Sequence, residues 1–169
     1  MSDKMKILFG MRDDGDMTEP MNLMLLSALA KKNANYQTGL WVMERDDLAQ
    51  TLKKFRPDIV AFSGITGSHK YYLEAAGRIK ALDKHPEIIV GGPHFTFFPG
   101  EILRHESIDA LCVGEGDDSW VEWLKAMENN LNPDEIPNIV TRENMGRVLK
   151  NPKSPTSVGM VDYSLDPKF

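Results

Sequence analysis

A single cysteine among 169 residues excludes an internal disulfide, and it also excludes a cysteine-held iron–sulfur cluster within this chain. That thiol, Cys112, lies in an apolar run just before Gly114 and fits a reducing cytoplasm. The four histidines, His69, His85, His94 and His105, have no HxH or HxxxH spacing, so no metal site is expected from them. There is no GxxxxGK(S/T) phosphate loop, no GxGxxG after the first strand-like run and no GxSxG elbow. Because no nucleophile–base pair can be named either, no catalytic residue is assigned. No segment approaches the ~20 apolar residues of a membrane span. MSDKMK runs straight into a strand pattern without the apolar core of a signal peptide. A cationic field is missing too: 20 basic and 25 acidic residues, interspersed, leave a net charge of −5, which argues against a nucleic-acid partner.

What is present is an alternation of short apolar runs with amphipathic segments. Strands are expected at Met5–Gly10, Gln37–Val42, Asp58–Ser63, Glu87–Gly91 and Ala110–Val113. Helices are expected at Pro20–Lys32 with Thr18 as N-cap, Asp46–Phe55 ending before Pro57, Ser68–Leu82, a short Pro99–Arg104, and Asp117–Asn130. Strands joined through single helices pair in parallel by right-handed crossovers. The predicted architecture is therefore α/β: a flavodoxin-like, Rossmann-like three-layer sandwich with a five-stranded parallel sheet in the order 2-1-3-4-5. Its crevice is expected between strands one and three, beside the Gly10–Asp16 loop. Residues 1–131 form this domain. Residues 132–151 read as a linker and appended β-hairpin turning at Asn144–Gly146, and 152–169 as an extended linker toward a missing downstream domain or, equally, a disordered terminus.

Three successive strands end in small-residue loops, SGITGSH, GGPH and GEGDD, which puts one extended binding surface at the carboxyl edge of the sheet. In the first, Ser63, Gly64, Ile65, Thr66 and Gly67 lead into a helix start whose unpaired N–H groups suit a hydrogen-bond acceptor, though Ser68 could simply cap that helix. In the second, Gly91 and Gly92 let a flat group lie against backbone and Pro93 stiffens the exit. His94 is a possible donor or a solvated ring, while Phe95, Phe97 and Phe98 either cover the sheet edge or meet a partner. In the third, Glu115 between Gly114 and Gly116 would repel a phosphate and suits hydroxyl or amide donors. A receiver domain is a poor match, since its strand-three aspartate and strand-five lysine are Ser63 and Gly114 here.

DIVAFSGITGSHKYY, EIIVGGPHFTFFPGEIL, IDALCVGEGDDSWVEWL and IPNIVTRENMGRVLKNP together resemble the N-terminal cobalamin-binding domain of radical S-adenosylmethionine enzymes, of the cobalamin-dependent methyltransferase and anaerobic magnesium-protoporphyrin monomethyl ester cyclase type. The resemblance covers about three quarters of the chain. It implies cobalamin as cofactor, with its dimethylbenzimidazole tail in a slot beside the strand-three serine and the strand-four glycines. Carried over, the binding set is Arg12, Asp13, Ser63, Gly64, Ile65, Thr66, Gly91, Gly92, Pro93, His94, Gly114, Glu115 and Gly116. The broader family's DxHxxG, whose histidine ligates cobalt, is replaced by GMRDDGDM, so the expected form is tail-displaced with Arg12, Asp13 or water below the metal. The resemblance also implies that S-adenosylmethionine and a 4Fe–4S cluster belong to a downstream radical domain of the same protein, which is the expected partner. The alternative reading is a docking module of the same fold that binds no cobalamin.

Overall fold

In the computed structural model, residues 4–13, 15, 20–34 and 36–148 are described. The short apolar runs form strands β1 (Lys6–Met11), β2 (Gln37–Val42), β3 (Ile59–Ser63), β4 (Glu87–Gly91) and β5 (Ala110–Cys112). Helices α1 (Met21–Ala34), α2 (Leu48–Phe55) and α3 (His69–Leu82) supply crossovers, one-turn helices α4 (Pro93–Phe97) and α5 (Glu101–Arg104) lie between β4 and β5, and α6 (Asp117–Glu128) follows β5. The order is β2-β1-β3-β4-β5-β6, so the expected parallel arrangement holds and a sixth strand, β6 (Ile139–Val140), is added. β6 pairs antiparallel with β5.

Every second strand residue faces the same side, and the core divides accordingly. Leu8, Val60, Phe62, Ile88, Val90 and Leu111 pack under α2 and α3 against Leu52, Leu73, Ala76 and Ile79. Ile7, Phe9, Ile59, Ala61, Ile89 and Ala110 pack on the opposite face against Leu23, Leu29 and Ala30 of α1 and Trp120, Trp123 and Leu124 of α6. Each fully buried aliphatic side chain stabilises by about 1.5–3 kcal/mol. At the amino edge, Asp58 accepts from the Lys6 amide at 2.7 Å, and Asp109 accepts from the Ile88 amide at 2.7 Å while pairing with Lys80 at 2.7 Å. These carboxylates satisfy the otherwise unpaired strand starts. Stability is thus invested at one edge, and the opposite edge is left to the loops.

Three expectations are corrected. The sheet has six strands, not five, because Ile139 and Val140 extend its edge. Among the described residues the appended hairpin is not formed: after its turn the chain makes a one-turn helix, α7 (Met145–Val148). Asn144, assigned to the hairpin turn, is buried, accepts from the Thr141 amide at 2.8 Å and donates to the Ile139 carbonyl at 2.9 Å. Competing local hydrogen bonds of this kind defeat a simple turn pattern. Finally, GGPHFTF is no open loop, since Pro93 at the first helical position favours a turn of helix there. The Thr18 cap and the stretch from Pro152 onward lie outside the described residues. Among the described residues no helix is long and apolar enough to cross a membrane.

Candidate functional site

β3, β4 and β5 stop level with one another, and hydrogen bonds sew their loops together. Gly64 N–H donates to the Gly91 carbonyl at 2.9 Å and His94 N–H to the Gly64 carbonyl at 3.0 Å. Thr96 Oγ1 donates to the Gly92 carbonyl at 3.1 Å and accepts from Gly114 N–H at 2.9 Å. Asn138 Nδ2 donates to the Glu115 carbonyl at 3.3 Å, which ties the third loop to β6. The rim is therefore a connected backbone surface rather than three independent loops.

Behind that rim a cleft of about 420 Å³ opens between α1 and the sheet. Its floor is Ala61, Ile89, Cys112 and Ile139, one wall is Leu25 and Leu26 of α1, and the far end is Asp117 and Trp120 of α6. Ser63, Gly91, Gly92, Pro93, Gly114, Glu115 and Gly116 all line it, as expected from the loops. The expected crevice between β1 and β3 is a different matter. Gly10 lies so close under the Phe62 ring that a Cβ there would come within 2.2 Å of it, so an aromatic side chain fills that side of the switch point. The cleft instead spans the ends of β3, β4 and β5.

The remaining expected residues lie off the cleft. A Cβ on Gly64 would sit 2.9 Å from the Phe95 ring, so this glycine serves close packing beneath the rim. Ile65 stands 60% exposed above it. Arg12 pairs with Glu44 at 3.0 Å and lies 3.8 Å from the centroid of the Tyr71 ring. Asp13 accepts from Arg45 and takes a hydrogen bond from Gly15 N–H at 3.0 Å, while its own N–H donates to Glu44 at 2.8 Å. Both belong to an ionic cluster beside the carboxyl end of β1. Of the three phenylalanines, Phe95 is wholly buried core, whereas Phe97 and Phe98 are exposed, Phe97 at the cleft mouth.

Electrostatics at the α6 end oppose an anion. Burial, reinforced by Glu115 and Asp118, raises the Asp117 carboxyl above its usual range. Burial, then the charges of Asp117 and Glu115, push the Cys112 thiol up to about 12. A thiol so held stays protonated at neutral pH and is a poor nucleophile or metal ligand. Among the described residues no group of three or more His, Cys, Asp or Glu could hold a metal ion.

His94 is buried, not solvated. Its Nδ1 meets Thr66 Oγ1 at 3.1 Å, its ring stacks on His69 at 3.5 Å and on Phe98 at 4.9 Å, and its Nε2 is buried without a partner. Burial first, then the neighbouring His69, lowers its pKa from the ordinary 6.5, with Glu101 acting in the opposite sense. In the unfolded chain the imidazole binds a proton more readily, so stability falls as pH drops below 6.5 toward the lowered folded-state value. His94→Phe is expected to flatten that acid limb in urea midpoints measured across the range, and an unchanged limb would contradict this.

The cleft-liners missed by sequence reasoning include Asn22, Leu25 and Leu26 of α1, Thr96, Asp117 and Trp120, and the floor residues Ala61, Ile89, Cys112 and Ile139. A signal existed for α1: apolar residues at Leu23, Met24, Leu25 and Leu26 exceed the stripe a single core face requires.

The profile of the B12 binding domain family matches residues 12–124. The chain is 30% identical over 112 residues to cytidylyl-2-hydroxyethylphosphonate methyltransferase of Streptomyces wedmorensis, covering 65% of this chain and 21% of that protein. It is 34% identical over 89 residues to anaerobic magnesium-protoporphyrin IX monomethyl ester cyclase of Cereibacter sphaeroides, covering 51% of this chain and 14% of the cyclase. Its fold is similar to that of the radical S-adenosylmethionine methyltransferase TsrM from Kitasatospora setae, solved with cobalamin and a 4Fe–4S cluster bound. That match has a TM-score of 0.69 and 15% identity over 82% of this chain and 27% of TsrM. The chain thus spans about a fifth of the length of the first curated relative it matches.

Proposed function

The chain belongs to the B12-binding domain family, and from that premise we propose that its cleft receives the nucleotide tail of a cobalamin on behalf of a larger radical S-adenosylmethionine methyltransferase or cyclase. The observation that carries the reading is the cleft itself. Its volume of about 420 Å³ lies within the range of roughly 300–1,000 Å³ usual for small-molecule sites. Leu25, Leu26, Ile89 and Trp120 offer an apolar slot for a flat heterocycle, while Ser63 and the glycine rim supply polar atoms at its mouth. A Cβ on Gly114 would find only Asn138, at 4.0 Å, so a bulky group can approach that backbone.

In this reading Ser63, Gly91, Gly92, Pro93, Gly114, Glu115 and Gly116 surround the tail, and Ile65 and Phe97 offer apolar contact where the corrin ring would rest. Gly64, Thr66 and His94 support the rim from beneath. Arg12 and Asp13 would face the corrinoid without holding its metal: a guanidinium has no acceptor lone pair, and both side chains are engaged with Glu44 and Arg45. Bound cobalamin would supply the cobalt-centred group-transfer or radical chemistry. With one cysteine, the chain leaves cluster and S-adenosylmethionine binding to a further domain of the same protein.

Reconstitution with hydroxocobalamin followed by gel filtration tests the proposal. Corrin absorbance should co-elute with protein, and the reduced cobalt(II) form should lack nitrogen splitting in its electron paramagnetic resonance spectrum. Protein eluting colourless would return the chain to the docking-module reading, and nitrogen splitting would overturn the ligand-free lower face.

A further inference from the structure

We propose that the stacked His69–His94 pair is an acid-sensitive latch: protonation parts the two rings and frees α4 from the first loop, so that the rim of the cleft is closed at neutral pH and opens in acid. Neither ring lines the cleft, and the inference stands whatever occupies it. His94 lies in α4 directly after Pro93 and is only 5% exposed. His69 begins α3, and the two rings lie nearly parallel, with 14° between their planes and 3.5 Å between their centroids. His94 also stacks on Phe98 at 4.9 Å, and its ring meets Phe95 edge-on at 5.2 Å.

The hydrogen bonds of this arrangement belong to uncharged rings. Gly67 N–H donates to His69 Nδ1 at 3.3 Å, so that nitrogen keeps its lone pair. His94 Nδ1 meets Thr66 Oγ1 at 3.1 Å, and among the described residues its buried Nε2 has no partner. An imidazolium donates from both nitrogens. A second proton on His69 would therefore face the Gly67 amide, a charged His94 would hold a buried N–H with no acceptor, and two charged rings would repel across the stack. Besides His69, the charge acting on His94 is that of Glu101 on α5, which favours the proton but already pairs with Arg104 at 2.8 Å and His105 at 3.2 Å. Thr66, Phe95 and Phe98 bring no charge to the ring.

The latch reaches the cleft through α4. His94 N–H donates to the Gly64 carbonyl at 3.0 Å, and Thr96 Oγ1 accepts from Gly114 N–H at 2.9 Å. Gly92, Pro93, Thr96 and Phe97 line the cleft, so lifting α4 loosens its mouth while the carboxylate-held amino edge of the sheet stays in place. A five-residue helix held by so few bonds is the kind of element that opens locally. The open form binds protons more readily, so opening grows as pH falls below the ordinary imidazole value of 6.5.

The test is amide hydrogen exchange of the ligand-free chain, followed by NMR at about pH 7.5 and about pH 5.5, with each rate divided by that of an unstructured peptide at the same pH. The amides of His94 and Gly114 should lose roughly three- to tenfold in protection on acidification, the effect expected for one proton taken up on opening. At both pH values they should be less protected than the amide of Val60 in the central strand β3, which reports unfolding of the whole domain. In His69→Gln the His94 imidazole should titrate at higher pH than in the wild type, and the acid loss at the rim should shrink. Equal rim protection at the two pH values, or rim amides that open only together with Val60, overturns the inference, as does an unchanged His94 titration in a folded His69→Gln. The wild-type comparison needs no variant, so a folding defect cannot mask the answer. None of these results bears on corrinoid binding, which co-elution with hydroxocobalamin tests separately.

Discussion

Gly91→Leu is expected to weaken hydroxocobalamin binding by more than roughly 100-fold while changing stability by less than about 1 kcal/mol. Gly91 ends β4 beside Ser63 in the ladder. By strand alternation it faces the same side as Ile89, which is the floor of the cleft. A Cβ there would meet only Cys112, at 3.7 Å for its Cβ and 3.9 Å for its carbonyl, which is ordinary contact, and the backbone is not left-handed. The added isobutyl group therefore enters the space assigned to the ligand at little cost to the protein. Glycine within a strand is itself unfavourable by about 0.5–1 kcal/mol relative to alanine, which offsets any local repacking. Corrinoid titration paired with urea denaturation separates the two quantities. Retained affinity in a folded variant would remove the cleft from the account.

Gly92→Val should behave in the opposite way, destabilising the fold by about 3 kcal/mol or more. Gly92 sits at φ 93° and ψ 177°, a conformation open essentially to glycine alone. A Cβ would also lie 2.7 Å from Ser63 Oγ and 2.9 Å from both the amide nitrogen and carbonyl oxygen of Gly64. The backbone of the first loop cannot yield without breaking its hydrogen bonds to Gly91 and His94. For a domain of this size the loss corresponds to a Tm lower by about 6–12 °C. A near-unchanged melting temperature would show that the two loops are less tightly joined than these distances require. Loss of binding in Gly92→Val would say nothing about the ligand, because fold and rim fail together, so Gly91 is the position at which the cleft is interrogated.

Much of the architecture was legible because its signals are local. The runs at Ile59–Ser63 and Glu87–Gly91 are apolar, short and bounded by proline, aspartate or glycine, and parallel crossovers then leave few possible orders. In the sequence β6 reads as one arm of an appended hairpin, because nothing local shows that Ile139 and Val140 pair with β5 instead. The glycine loops marked the edge of the sheet at which a cleft opens, and that cleft spans the ends of β3, β4 and β5. Nothing in a linear reading reveals that Phe62 covers Gly10, or that α1 stands off β3 far enough to leave a cleft lined by Leu25 and Leu26. Arg12 and Asp13 were drawn in by adjacency to β1, whereas their partners Glu44 and Arg45 come from the segment following β2. His94 is the sharpest reversal: a histidine after two glycines and a proline reads as exposed, yet stacking against His69 and Phe98 buries it.

The central claim is that the space between α1 and the ends of β3, β4 and β5 accepts the tail of a corrinoid. Equilibrium titration of the chain with hydroxocobalamin and with cobinamide, which shares the corrin ring but has no nucleotide, addresses it directly. The account predicts at least roughly tenfold tighter binding of hydroxocobalamin, since a buried heterocycle contributes through its removal from water. Equal affinities for the two, or none for either, would contradict it.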